Sequence, residues 1–596
     1  MKPEHFVEIS RLLLDNPKTS QRELSARSNL SLGLVNSIIK ESVECGFLVR
    51  EEPRKIVLTQ EGLARLETNR VKSAIILSAG FGSRFVPLTY EIPKGLLAVH
   101  GQPMIERQIE QLQDKGITEI VIVVGYKKER FDYLIDKYGV RLVFNKEYAV
   151  KNNLASLYCA LPWLDSTYIS SSDLWIENNI FNTYESRNWC SCIYKNGPTD
   201  EWCVKVSPTD KIEAIEVGGH DSFVIVGPAY FTSASSAMLK QYVTDCYNRP
   251  GTQDFFWEQT LIEHASALPI NINRQTGNVF EFENFEELKK YDLSYGLASE
   301  VKGLRIISKV FNTIENEIEN IQPVKEGMTN RSFTFTFDST RYIMRIPGEG
   351  TDKLIDRKKE YSTYQVISPL GFCDDLVYID PEEGYKISKY IEGARTCDPQ
   401  HMSDVASCMK KLRELHSMEL VVDHSFDIFE QIEFYESLWI EPTSCFRDYS
   451  ETKANVMGLK LHIDAMEKTK ALSHIDSVPD NFLFTNEGGK EQIHLIDWEY
   501  SGMHDPHVDI AMFAIYSMYD KNQIDALIDC YFISGCSDET RTKIYAYISA
   551  CGLLWSNWCE YKSHMGVEFG DYATRQYRYA KDYFRIANDR LQIHKQ

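Results

Sequence analysis

The period of apolar and polar positions changes twice along the chain. Up to about residue 70 it has the rhythm of a small helical unit followed by a hairpin. Thr19 and Ser20 precede Gln21, Arg22 and Glu23, a capping-box-like start for a short helix through Ala26. After a polar turn over 27–32, residues 33–42 place Leu34, Ile38 and Ile39 on one face of a second helix. Gly46-Phe-Leu-Val-Arg and Lys55-Ile-Val-Leu-Thr then predict two strands around 51–54. From 71 to 300 the pattern is different. Ala74-Ile-Ile-Leu77 is a short apolar strand that runs into a glycine loop, and Ile120-Val-Ile-Val-Val124 is a second buried strand. The amphipathic segment 104–115 lies between them and stops at Gly116. Strand, helix, strand at this spacing predicts a βαβ unit in a mostly parallel sheet. Beyond 300, residues 331–337 and 341–346 alternate like an antiparallel hairpin and 356–366 read as a helix. Segments 400–470 and 505–590 are largely helical by periodicity. Three modules are expected: 1–70, 71–300 and 301–596.

Composition narrows the function classes. The 596 residues suggest roughly four compact bodies at about 150 residues each. Hydrophobic residues make up 43% and charged residues 25%, ordinary values for a globular chain. Asp and Glu outnumber Lys and Arg by 86 to 65, a net charge of −21. That field opposes general binding of nucleic acid or of an anionic membrane. Residues 1–70 are the exception, carrying 11 basic and 10 acidic residues. The start, MKPEHFVEIS, lacks the basic and apolar regions of a signal peptide, and no apolar run reaches the roughly 18 residues of a membrane span. The 14 cysteines are scattered without a CxxC pair, which fits reduced thiols and a cytoplasmic address. The oligomeric state is open.

Residues 1–70, helix, turn, helix and hairpin, resemble a winged helix-turn-helix domain. Arg22, Arg27, Lys40, Arg50, Arg54 and Lys55 could meet phosphates, so nucleic acid is a partner only through this module. Helix 33–42 offers few groups able to read bases: Asn36, Ser37 and Lys40. A contact to protein, or a regulatory role, is the expectation for it.

The first chemistry lies in Leu77-Ser-Ala79-Gly80-Phe-Gly82-Ser83-Arg84-Phe-Val-Pro87-Leu-Thr-Tyr-Glu-Ile-Pro93-Lys94. Glycines directly after a strand let backbone N–H groups close around a triphosphate. Arg84 and Lys94 add positive charge there. The string resembles the signature of nucleotidyltransferases, over residues 71–288. Gly125-Tyr-Lys-Lys-Glu-Arg-Phe-Asp-Tyr-Leu, Tyr138-Gly-Val-Arg-Leu-Val-Phe-Asn and Asn152-Asn-Leu-Ala-Ser156-Leu-Tyr bring it nearest to bacterial CTP:phosphocholine cytidylyltransferases. The resemblance implies CTP, phosphocholine and Mg²⁺, with Ser156 near the base and Asp173 as a metal ligand. The family often has an acid two residues before that aspartate, where this chain has Ser171. A second ligand is expected from Asp254-Phe-Phe-Trp-Glu258, with Glu258 favoured and Asp254 in reserve. A quaternary ammonium has no N–H to donate and is held on aromatic faces, worth ~2 kcal/mol or more when desolvated. Trp202, Phe256 and Trp257 are candidates for that contact.

A second constellation is His474-Ile-Asp476-Ser-Val-Pro-Asp-Asn481, followed by Ile493-His-Leu-Ile-Asp497-Trp-Glu499-Tyr500. An aspartate five residues before an asparagine, with another at a strand end some twenty later, is a phosphotransfer arrangement. Asp476 would orient the substrate hydroxyl or accept its proton, and Asn481 and Asp497 would hold Mg²⁺ on ATP. Gly327 and Asn330 stand where a phosphate-covering loop belongs, and Arg345 and Glu360 where a kinase keeps a basic–acidic pair, with Arg replacing the usual Lys. Residues 310–590 resemble the choline kinase/aminoglycoside phosphotransferase group, including Arg345-Ile-Pro-Gly. Trp555-Ser-Asn-Trp558 matches the spacing of that group's choline-box tryptophans, and Tyr500 and Glu499 are expected to complete the box.

The sequence thus predicts a multidomain α/β and α+β protein: a winged helix, a Rossmann-like nucleotidyltransferase and a bilobed kinase-like phosphotransferase. The expected function is synthesis of CDP-choline from choline, ATP and CTP. Ethanolamine or aminoethylphosphonate is the alternative amine, and a transcriptional regulator with metabolic domains as sensors is the alternative class.

Overall fold

The computed structural model describes all residues except 1, 53–54, 266, 297–300, 325–329, 349–350, 352–353, 441–442, 565–568 and 594–596. It divides into two compact units, residues 1–305 with 314–316, and residues 306–313 with 317–596.

In the first unit, helices Pro3–Asp15, Gln21–Ser28 and Leu32–Glu44 lead into the hairpin Leu48–Glu52/Lys55–Leu58 and helix Gln60–Glu67. Ser20, Ser31 and Thr59 each accept a hydrogen bond from a first-turn N–H, which fixes three of the four helix starts. Leu12, Leu24, Val35, Ile39 and Ile56 form the small core. The first and last helices of this module are additions to the sequence reading, and both face the transferase. Phe6, Val7 and Leu66 pack on Tyr184, whose hydroxyl donates to Glu67 at 2.6 Å and accepts from Arg70 at 3.0 Å.

The transferase sheet has seven strands in the order Ile270–Arg274, Asn188–Val206, Ile212–Phe231, Thr167–Ser171, Ser73–Ser78, Ile120–Val124, Arg141–Phe144. The last four are parallel. Because side chains alternate along a strand, Ile75, Leu77, Val121, Val123 and Ile169 fill the core on one face. Ala74, Ile76, Ile120, Ile122 and Tyr168 fill the other, against helix Met104–Asp114. Burial of both faces is why these strands read as unbroken apolar runs. The two long antiparallel strands, 19 and 20 residues, mix polar stretches and glycines with one apolar run, Phe223–Val226, and their extent is not visible in the pattern.

The second unit opens with a five-stranded antiparallel sheet: Glu319–Pro323, Asn330–Phe337, Thr340–Pro347, Lys386–Lys389 and Leu376–Ile379. Asp338 and Ser339 both take positive φ (46° and 58°), the two-residue turn that matches strand twist and closes the expected hairpin. Helix Arg357–Ile367, capped by the Asp356 side chain, crosses this sheet. The remainder is mostly helical, built on the 27-residue helix Asp538–His564 and its partner Asp571–Ile593, with the strand pairs Phe482–Glu487/Lys490–Leu495 and Ala471–Ser473/Gly502–His504 set among the helices. Residues 542–562 of the former are buried on all sides, the mark of a central helix. No described helix is long and apolar enough to cross a membrane.

Glu185 is buried under the winged helix, holding Tyr168 Oη at 3.0 Å, Asn182 Nδ2 at 2.8 Å and Arg11 Nη1 at 3.7 Å. Burial pushes its carboxyl up while Arg11 draws it down. Arg11→Ala therefore leaves a buried charge without its cation and should cost about 2 kcal/mol. Urea unfolding of the full chain checks this, and adding Glu185→Gln should restore most of the loss.

Candidate functional site

Strand Ser73–Ser78 ends in the glycine loop at the carboxyl edge of the sheet, where open α/β folds bind ligands. Gly82 has φ +70°, and a Cβ there would stand 3.0 Å from Lys94 Cβ. Gly95 allows a closer approach still, since its Cβ would lie 2.4 Å from Ser172 Oγ. Both glycines hold the Lys94 segment against the strand ends. Lys94 Nζ donates to Asp173 Oδ2 at 2.6 Å and lies 4.5 Å above the Phe85 ring.

These groups line a cleft of about 520 Å³. Of the residues expected from sequence, it brings together Ala79, Gly80, Gly82, Ser83, Arg84, Lys94, Ser156, Asp173, Asp254 and Phe256. Asn152 and Asn153, at the start of helix Asn153–Ala160, fasten the 253–257 segment beside it. Asn152 N donates to Gln253 O at 2.7 Å, and Trp257 N donates to Asn153 Oδ1 at 2.8 Å. Ser156 is held by Asn145 Nδ2 at 3.1 Å.

Two of the expected residues are not among those lining the cleft. Glu258 is not on the cleft wall: its Oε2 is buried without a hydrogen-bond partner, and burial pushes the carboxyl up to about 8. Trp257, 3% exposed, packs edge-on to Phe231 in the core and is not among the cleft-lining residues. Trp202 is half-buried and meets the cleft residue Phe256 edge-to-face at 6.1 Å. The acid that does face Asp173 is Glu281. Strand Val279–Glu281 pairs with Leu174–Ile176 so that Glu281 stands opposite Leu174, next to Asp173. Although Glu281 stays open to solvent on one side, desolvation in the cleft and then the Asp173 charge push its carboxyl up. Its sequence signal is only an acid at the end of a short apolar run, one among 86 acids.

In the kinase-like unit the ionic groups converge around Glu360. Arg345 binds it through both nitrogens (2.5 and 2.8 Å), reaches Asp497 Oδ1 at 3.3 Å and donates to Gly384 O at 3.0 Å. Arg357, absent from the sequence reading, links Glu360 and Glu499, each at 3.3 Å. Asn330 Nδ2 donates to Glu499 at 2.9 Å, so Glu499 belongs as much to this ionic cluster as to an aromatic box. Gly327 lies outside the described residues. Asn481 Nδ2 donates to Asp476 Oδ2 at 3.1 Å and to its carbonyl at 2.9 Å. Burial pushes Asp476 up, with Asp497 and Glu499 adding to it. The buried carboxylate of Asp509, also unforeseen, accepts from the N–H groups of His474 (2.9 Å) and Ile475 (2.7 Å). Ile475 takes φ +68°, a strained conformation for a β-branched residue, and this anchor holds it.

Trp555 and Trp558 are 3% and 1% exposed, 5.5 Å apart and T-shaped. Tyr500 and Tyr516 stand edge-on to Trp555 at 5.6 and 5.4 Å. Burial raises the Tyr516 phenol, and the charges of Tyr572 and Asp476 raise it further, which sets the aromatic group beside Asp476.

Hard oxygen donors fit magnesium at both places. Asp173 and Glu281 bring two carboxylates together in the first, and Asp476, Asn481 and Asp497 gather in the second.

The fold combines a nucleotidyltransferase module and a kinase-like module in one chain, with a winged helix ahead of them. Three family models match: winged helix-turn-helix DNA-binding over 7–48, MobA-like NTP transferase domain over 74–174, and choline/ethanolamine kinase over 321–531. A choline-phosphate cytidylyltransferase of Streptococcus pneumoniae is 33% identical over 220 residues, 37% of this chain and 96% of the relative. A 2-aminoethylphosphonate cytidylyltransferase of Lancefieldella rimae is 36% identical over 231 residues, 37% and 93% respectively. The crystal structure of choline kinase LicA from Streptococcus pneumoniae is 30% identical, covering 47% of this chain and 98% of that one, with a TM-score of 0.42. The chain belongs to the nucleotidyltransferase family that contains these cytidylyltransferases, and it carries a choline kinase-type domain behind that module.

The placement of Glu281 separates it from Glu258. Glu281→Gln should raise the Mg²⁺ concentration for half-maximal cytidylyl transfer by about tenfold or more, as loss of one charged ligand does. Glu258→Gln should move it by no more than about twofold. Titrating Mg²⁺ at saturating CTP decides between them.

Proposed function

We propose that the chain is a bifunctional enzyme that makes CDP-choline, with residues 1–70, 71–300 and 301–596 as winged helix, cytidylyltransferase and choline kinase. The observation that carries this reading is the aromatic group Tyr500, Tyr516, Trp555 and Trp558 beside Asp476. It fits a cation that cannot donate an N–H bond. The product of such a kinase, phosphocholine, is also the acceptor for a transferase of the family to which this chain belongs.

In the kinase step the choline hydroxyl attacks the γ-phosphorus of ATP, giving phosphocholine and ADP. Asp476, held by Asn481, orients that hydroxyl and takes its proton. Arg345, fixed by Glu360, sets positive charge beside the nucleotide. In the transferase step a phosphocholine oxygen attacks the α-phosphorus of CTP and pyrophosphate leaves. The glycine loop, Arg84 and Lys94 hold the triphosphate, Ser156 stands near the base, and Phe256 with Trp202 faces the ammonium. Mg²⁺, held by Asp173 and Glu281 in one site and by Asn481 and Asp497 in the other, would neutralise phosphate charge. The address that suits this chemistry and the unpaired cysteines is the cytoplasm.

Aminoethylphosphonate or ethanolamine is the second reading, favoured by the 36% identical relative. The winged helix presents Asn36, Ser37 and Lys40 on an exposed helix face, with Leu32 and Leu34 exposed at its start. That mixed face suits a protein contact better than phosphates.

Phosphorus NMR of the purified chain with choline, ATP, CTP and Mg²⁺ should show phosphocholine and CDP-choline. Faster turnover of ethanolamine than of choline would replace choline in this reading. Asp476→Ala should abolish CDP-choline formation from choline but preserve it from phosphocholine. With Lys94→Ala, phosphocholine should accumulate.

A further inference from the structure

Lys562 lies on helix Asp538–His564 one turn after Trp558, so the two side chains share a face. Its ammonium stands 5.7 Å from the centre of the Trp558 ring, and the residue is only 5% exposed. Buried lysines are normally paired with a carboxylate. Among the described residues Lys562 has no ion pair and no hydrogen bond to its ammonium. What faces it is the negative π-face of Trp558 and, at longer range, the charge of Glu499. Trp558 packs in turn on Trp555 and Phe569, each at 5.5 Å. Among the described cations, Lys562 alone lies over a ring of the Tyr500, Trp555 and Trp558 group.

We infer that Lys562 is an internal competitor for the amine site, its ammonium occupying the field of Trp558 and Glu499 until choline takes that place. This rests on the reading of Trp555, Trp558 and Tyr500 as the amine box. Two cations cannot share one aromatic face and one carboxylate without repulsion. Choline must therefore bind against the lysine charge, by driving the flexible side chain outward. The four-carbon stem makes that movement available. Lys562 thus lowers choline affinity below what the aromatic group would give alone, and it is an affinity-setting residue rather than a catalytic one. Burial already disfavours its charged form, pushing the ammonium down, while Glu499 pulls the other way.

The test is choline binding to the full chain, followed by tryptophan fluorescence, for wild type, Lys562→Met, Lys562→Gln and Lys562→Arg. Methionine keeps the length and apolar stem without the charge. Lys562→Met should bind choline about fivefold tighter, a change of the size assigned to one partly buried cation–π contact. The choline KM should fall in step, and Lys562→Arg should show no gain. Should Lys562→Met fail to fold, Lys562→Gln carries the same expectation. Equal or weaker binding by a folded neutral variant overturns the inference, because the lysine would then be supporting the box. Absence of choline binding in the wild type would overturn the amine-box reading instead.

Discussion

Carboxylates set close together are the constraint from which both sites follow. Asp173 and Glu281 meet across a strand pair, and Asp476, Asp497 and Glu499 gather where two loops of the helical region reach the sheet of the kinase-like unit. Desolvation first, and the neighbouring like charges of Asp173 and Asp497 second, raise their proton affinity, so Glu281 and Glu499 both stand near 7. The surroundings respond with arginine and lysine. Lys94 sits on Asp173, and Arg345 and Arg357 divide themselves among Glu360, Asp497 and Glu499.

The scaffold makes this crowding tolerable by fixing backbone rather than side chains alone. Leu174–Ile176 pairs with Val279–Glu281, and Asn152 and Asn153 tie down the 253–257 segment. In the kinase-like unit Asp509 gathers the N–H groups that precede Asp476, and His474 Nε2 meets the carbonyl of Ile496 at 2.9 Å. The loops that carry Asp476 and Asp497 are therefore joined through one imidazole. Burial holds that ring down to about 4, so it stays neutral and keeps a single tautomer's hydrogen bonding.

What the sequence reveals depends on how local the determinant is. Parallel strands buried on both faces, the glycine loop and the Asp476-to-Asn481 spacing are legible because neighbours along the chain carry them. The strands Asn188–Val206 and Ile212–Phe231 are not, because they alternate irregularly and their partner is each other. Glu281 and Arg357 depend on pairings that span more than a hundred residues, from Glu281 to Asp173 and from Arg357 to Glu499. Glu258 has the spacing of a ligand, but it precedes helix Gln259–His264 with its Oε2 buried and is not among the cleft-lining residues.

Docking of the winged helix on Tyr184 and Glu185 has a thermodynamic consequence. Strand Thr167–Ser171, which leads to Asp173, carries Tyr168, and Tyr168 shares Glu185 with Arg11 of the first helix. The small module and the sheet that bears the cleft are thus parts of one folding equilibrium. Any molecule that prefers the docked form of the helices also stabilises the sheet, by mass action and without touching the cleft.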